Sequence, residues 1–252
     1  MSQQQLDRWY LYRASSVAFG GALTRPVPQL IPARATAALP VTGGEASSRS
    51  KRFRLRDALS YEAARAVVSG SENQHGEFST LAYAIVDRLD ILGVVTADRI
   101  IARLASRHAG KPEGPPEFTI AGSAFENLRI AGRRVDLKCN ASQLANVHNY
   151  RSLTKDHASL LAEDLLPAGA CGDQLPRTRG GFVPLRLFDC GADSFGRPTN
   201  RIYIPQFGIV YFGELHVYEY SVRLSMLRIE LGCAYEGRLC AATVESNGML
   251  GP

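Results

Sequence analysis

One segment of the chain concentrates the residue types that general acid and base chemistry uses. From Val210 to Tyr220 a period of two sets Val210, Phe212, Glu214, His216, Tyr218 and Tyr220 on one face of a strand, and Tyr211, Gly213, Leu215, Val217 and Glu219 on the other. Glu214, His216 and Tyr218 then form a row. In such a row a carboxylate raises the imidazole pKa and a phenol can donate a proton, which would serve proton transfer in a barrel or sandwich cavity. The plainer reading, and the preferred one, is that these are solvated or cross-strand paired side chains at a subunit surface.

Other chemistries lack their spacing. His148 and His157 stand nine residues apart, about 180° out of register on one straight helix, so they cannot share a metal there. Asp173, Asp189 and Asp193 lie in a Gly-rich stretch without calcium-loop spacing. The chain has no GxSxG, GxGxxG or P-loop pattern. The five cysteines, Cys139, Cys171, Cys190, Cys233 and Cys240, form no CxxC pair, and their odd number suits reduced thiols. Cys233 and Cys240 could pair across a hairpin in an oxidising compartment. Neither a metal nor a cofactor is expected.

A second candidate is electrostatic. Arg49, Lys51, Arg52, Arg54 and Arg56 put five cations in eight residues, with Phe53 and Leu55 on the opposite side of a strand. The chain carries 29 basic against 24 acidic side chains, and the surplus is N-terminal: residues 1–60 hold nine against three, the remainder 20 against 21. An edge strand with a solvated basic face accounts for the segment, and an anionic partner surface is the alternative. Without interleaved aromatic residues it is a poor nucleic-acid site.

The elements that must position these residues read as mainly β. The 252 residues, 45% hydrophobic and 21% charged, suffice for a buried core. Residues 24–48 hold four prolines and a Gly-Gly among small residues, which predicts an extended Pro-rich N-terminal arm over 1–48. From Phe78 onward period two dominates. In 80–91 it groups Leu81, Tyr83, Ile85, Leu89 and Ile91 on one face, with Asp87 the exception. Residues 99–104 read as another strand, and 125–130 and 133–138 flank Ala131-Gly132 as a tight hairpin. Residues 96–98 suit a capped turn, and Pro205 a strand margin. Strands are further expected at 182–188, 202–204, 209–220, 222–231 and, briefly, 239–244.

The period changes over 142–166, where Ser142 can cap a helix and leucines recur at helical spacing until Pro167. The expected architecture is therefore an antiparallel β-sandwich or barrel at 49–252, with a helical and loop insertion at 140–200 whose helix spans about 142–166.

Three blocks, residues 92–100 (LGVVTADRI), 123–135 (SAFENLRIAGRRV) and 201–210 (RIYIPQFGIV), resemble in sequence and order those of bacterial choice-of-anchor P surface proteins. The resemblance covers 78–138 and 200–245 and implies a β-rich domain at the cell surface, of unassigned activity. The residues themselves point to a cytoplasmic location: the stretch after Arg13 is too short and too broken by Ser and Gly for a secretory signal. No run of 18 apolar residues could cross the membrane as a helix.

The function expected on these grounds is non-catalytic: a structural or interaction protein that forms a homo-oligomer or binds a protein partner through β-rich surfaces. Nucleic acid is not an expected partner. The alternatives are a small-molecule isomerase or cyclase using Glu214, His216 and Tyr218, and an anionic-surface binder using Arg49–Arg56.

Overall fold

Alternation of small and apolar residues carries the fold from Tyr10 onward. The computed structural model describes residues 10–109, 117–144, 182–192, 196, 198–218 and 221–250. The strands are β1 (Tyr10–Arg25), β2 (Gln29–Ala38), β3 (Gly44–Ser50), β4 (Phe53–Leu55), β5 (Leu59–Tyr61), β6 (Ala63–Glu72), β7 (Phe78–Ile91), β8 (Val95–His108), β9 (Glu117–Thr119) and β10 (Ala124–Glu126). They continue with β11 (Arg129–Ile130), β12 (Arg133–Arg134), β13 (Lys138–Cys139), β14 (Val183–Arg186), β15 (Phe188–Asp189), β16 (Gly191–Ala192) and β17 (Pro198–Thr199). The last four are β18 (Arg201–Ile204), β19 (Gly208–Val217), β20 (Ser221–Gly232) and β21 (Glu236–Leu250).

Two antiparallel sheets face each other as a β-sandwich. Sheet A has seven strands in the order β14, β19, β20, β21, β1, β2, with β18 beside β19. Sheet B has ten, built around β6, β7 and β8. The longest strands, β1, β20 and β21 in one sheet and β7 and β8 in the other, sandwich the core between them.

That core is lined by small residues at its centre. Ala64, Ala66, Ala82, Ala84 and Ala102 from sheet B and Ala14 and Ala18 from sheet A are buried, so the sheets approach closely. The Ser16 hydroxyl reaches across to donate to the Tyr83 carbonyl at 2.7 Å. Larger side chains fill the ends, with Tyr10 stacked on Phe78 at 4.4 Å at one of them. A hydroxyl cluster of Thr80, Ser106 and Ser246 joins β7, β8 and β21, with Oγ1 to Oγ distances of 2.5 Å from Thr80 to each serine. Each hydroxyl has a partner, which burial of polar groups demands.

Both sheets switch faces partway along. In sheet A the residues Ala35, Ala18, Ala242, Met226 and Gly213 form one row across β2, β1, β21, β20 and β19, between the paired rows on either side. Alternate members of that row are left-handed: Ala35 at φ 50°, Ala242 at 53° and Gly213 at 57°. The bend reverses which residues point inward, so on β19 Val210 and Phe212 are buried before it and Leu215 and Val217 after it. In sheet B, Arg88 at φ 51° does the same, between the pairs Asp87–Arg99 and Leu89–Ala97.

Several expectations are corrected. The helical insertion at 142–166 is not found: the described residues hold one helical turn, α1 (Ala141–Leu144), and 145–181, with the remaining leucines, His148 and His157, lie outside them. In place of the Pro-rich arm expected over 1–48, the described residues 10–48 form β1, β2 and the start of β3, and β1 is an inner strand paired with both β21 and β2. Its prolines punctuate strands: Pro26 and Pro28 sit in the β1–β2 turn, Pro40 follows β2, and Pro32 lies on the outermost strand of sheet A, where a missing amide is tolerated. The face assigned to β7 is also reversed in part. Phe78, Thr80, Ala82, Ala84 and Val86 point inward up to Arg88, and Leu89 and Ile91 after it, while Leu81, Tyr83 and Ile85 are half-buried on the outer face.

The hairpin at Ala131-Gly132 has both central residues left-handed, at φ 48° and 76°, as a two-residue turn requires. Residues 96–98 lie within β8. The turn there is Leu92-Gly93, also left-handed at both positions, capped by the Asp90 carboxylate, which accepts from the Gly93 amide at 2.8 Å.

Candidate functional site

Glu214 follows the bend at Gly213, and this decides its surroundings. A Cβ on residue 213 would stand 2.5 Å from the Phe188 ring and 2.9 Å from the Leu187 Cβ. The position therefore needs glycine for both its close packing and its left-handed backbone. The face switch sets Glu214 on the outer side of sheet A with Tyr211, not with Val210 and Phe212 as period two predicts.

There Glu214, only 5% exposed, meets Arg228 of β20. The guanidinium donates from Nε to Oε2 and from Nη2 to Oε1, both at 2.7 Å, a bidentate pairing. Its Nη1 donates to Glu230 Oε1 at 2.5 Å, and Arg238 Nη2 to the same oxygen at 2.8 Å. The Arg228 guanidinium also lies 3.6 Å above the centre of the Tyr211 ring. Burial works against its charge, but the Glu214 carboxylate, with Tyr211 and Glu230, outweighs that and raises its pKa above the ordinary value.

His216 belongs to a different set of contacts. Its ring stacks on Phe182 at 4.4 Å, and Phe182 touches Tyr218 at 5.2 Å. Burial pushes the His216 pKa down from 6.5 to about 4, with Arg223 and Arg228 acting in the same direction and Glu214 against it. Its Nε2 is buried without a hydrogen-bond partner. The structure thus holds His216 and Tyr218 against one phenylalanine and turns the Glu214 carboxylate away to Arg228. In this geometry the imidazole is neutral at pH 7 and the carboxylate is occupied.

Sequence reasoning missed the arginines. Arg228 and Glu230 alternate along β20, a pattern of charges that marks an outward row, and Arg186 stands directly opposite Glu214 in the β14–β19 pairing. Arg186 donates from Nε to Asp189 at 3.1 Å, and Asn140 Nδ2 donates to the other carboxylate oxygen at 3.0 Å. Asp189, weighed as a calcium ligand, is thereby tied to an arginine and an amide, and Asp173 and Asp193 lie outside the described residues. Among the described residues no cluster of three His, Cys, Asp or Glu is placed to hold a metal ion.

Cys139, Cys190, Cys233 and Cys240 are free thiols, so the Cys233–Cys240 bridge is not formed. Burial raises the Cys190 pKa to about 11 and raises that of Cys240, which makes both poor nucleophiles. Cys171 lies outside the described residues.

The basic segment has the predicted sidedness. Phe53 and Leu55 are half-buried, while Arg49, Lys51, Arg52, Arg54 and Arg56 are exposed. Phe53 contacts Tyr61 at 5.6 Å, and the Arg34 guanidinium covers its other side at 4.1 Å. A surface groove of about 570 Å³ lies apart from these sites, on the outer face of sheet B over Leu81 and Ala105, between Arg103 and Thr119.

No described helix is long and apolar enough to cross a membrane. Comparison with curated proteins finds no match, and comparison with solved structures finds none either. Residues 10–164, which run from the first strand of sheet A through all of sheet B, match a domain of unknown function, DUF8256, and the chain belongs to that family.

Proposed function

We propose that this protein is a non-catalytic interaction protein that assembles through the outer surface of its β-sandwich, with itself or with a protein partner. The observation that carries the reading is the outer face of sheet A around β18, β19 and β20. Tyr203 is 70% exposed there, in register with Ile209 and Glu230, beside the Tyr211, Arg228 and Arg238 array. Tyrosine and arginine are the residue types that most often anchor protein interfaces, and here the arginines are already held in place by carboxylates. The same geometry speaks against the isomerase or cyclase alternative, because Arg228 occupies Glu214 as a structural partner and burial leaves His216 uncharged.

Light scattering over rising concentration tests the proposal. The expected result is a mean mass that climbs above the 27.4 kDa of one chain and a Tyr203→Asp variant that stays at one chain. Tyr203 is exposed, so the substitution leaves the fold intact. A wild-type mass that stays at one chain at every concentration overturns self-assembly.

A further inference from the structure

The strands β1 and β7 run in the same direction on facing sheets, since Tyr10 stacks on Phe78 near their starts and Ser16 bonds to Tyr83 midway. Their far ends, Arg25 and Ile91, therefore lie at the same end of the sandwich. The turn between β1 and β2 lies there, and so does the turn between β4 and β5, because Leu59 pairs with Ile91. Val27 and Leu30 are exposed at this end, at 54% and 74%.

The basic segment leads down to this end. Of Arg49, Lys51, Arg52, Arg54 and Arg56, Arg54 is paired with Asp57 at 2.6 Å, and among the described residues the other four have no ion-pair partner. Arg25 is paired with Glu236. Arg49, in the row of Arg65 and Ile85 six residues short of Ile91, stands directly opposite Arg65 in the β3–β6 pairing, and among the described residues no carboxylate is bonded to either. Like charges in directly opposed positions weaken a sheet, and local costs of this kind collect at functional surfaces.

We infer that this end of the sandwich docks on an anionic lipid surface, the cations meeting lipid headgroups while Val27 and Leu30 enter the boundary with the acyl chains. Exposed aliphatic side chains at the same end as unpaired cations are the combination that such a surface takes up. A single-stranded nucleic acid is disfavoured, because stacking needs open aromatic faces and the Phe53 ring lies under Arg34; a duplex would offer no place for Val27 and Leu30. The inference is independent of assembly through Tyr203.

The test is co-sedimentation of the full chain with phosphatidylcholine vesicles, with and without phosphatidylserine, at several salt concentrations. The expected result is binding to the anionic vesicles alone, weakening as salt rises. Each cation is worth about fivefold in affinity, so a Lys51→Gln, Arg52→Gln, Arg56→Gln variant loses on the order of a hundredfold, and Arg49→Gln, farther from this end, loses less than any of the three. Leu30→Ser loses several-fold with an unchanged salt slope, and unchanged thermal melting of these variants shows that they fold. Equal binding to both vesicle types, undiminished binding by the neutralised variant, or no binding overturns the inference. So does a double-stranded DNA or RNA oligonucleotide that binds the same cations more tightly than the anionic vesicles do.

Discussion

Sheet A carries a buried ion pair on its outer side, Glu214 with Arg228, whereas the space between the sheets holds a cluster of neutral hydroxyls, Thr80, Ser106 and Ser246. Both satisfy buried polar atoms, but they respond differently to damage. A hydroxyl that loses one neighbour in the cluster keeps another. A carboxylate that loses its bidentate guanidinium is left as a buried charge, and that costs far more than the pair contributes. The ionic site is thus the fragile one.

Arg228→Met is the sharpest way to break this contrast. It should destabilise the protein by about 3–5 kcal/mol in urea unfolding, and the double variant Glu214→Leu, Arg228→Met should recover most of that loss. A double variant as unstable as the single one would mean that the pair does more than neutralise itself.

Gly213→Ala comes next, at about 2–4 kcal/mol, because it combines a left-handed alanine with a Cβ forced against Phe188. Thermal melting reads this directly. If the variant melts like wild type, the bend does not depend on glycine and the placement of Glu214 has another cause.

The pH dependence separates His216 from its acidic neighbour. The unfolded imidazole titrates near 6.5 and the folded one near 4, so the fold prefers the neutral ring. Stability from this group is complete above pH 6.5, falls as the pH drops toward 4 and levels off below it. His216→Phe keeps the stack on Phe182 and should flatten the stability curve in that window relative to wild type. His108, which burial also shifts downward, should leave part of the slope in place. An identical curve for the variant would show that His216 is not held neutral.

Ser246→Ala is the mildest change, about 1 kcal/mol in urea unfolding, since Thr80 and Ser106 still bond to each other. A loss as large as that of Arg228→Met would remove the distinction between the two regions.

How much was legible varied with the range of the interaction. The hairpin at Ala131-Gly132 and the sidedness of Phe53 and Leu55 are local, set by left-handed turn residues and by alternation within one strand, and both read correctly. The β1 strand did not, because its small residues and the prolines after it look like an extended arm until β21 pairs with it. The row of Glu214, His216 and Tyr218 was found as a set of residues. The expected cross-strand pairing is met at Glu214, but its partner could not be named in advance, because Arg228 reaches it from β20 and Phe182, just before β14, covers His216.

The sequence by itself determined that this chain is built of β-strands and that a cluster of exposed cations runs along residues 49–56, which the structure divides between β3, β4 and the links beside them, because period two and charge are properties of neighbours along the chain. Tertiary structure alone decided which face the residues beyond each bend took and which charge met which. A single left-handed residue reverses every side chain beyond it, and cross-strand register joins positions far apart in sequence, as it joins Tyr10 to Leu250.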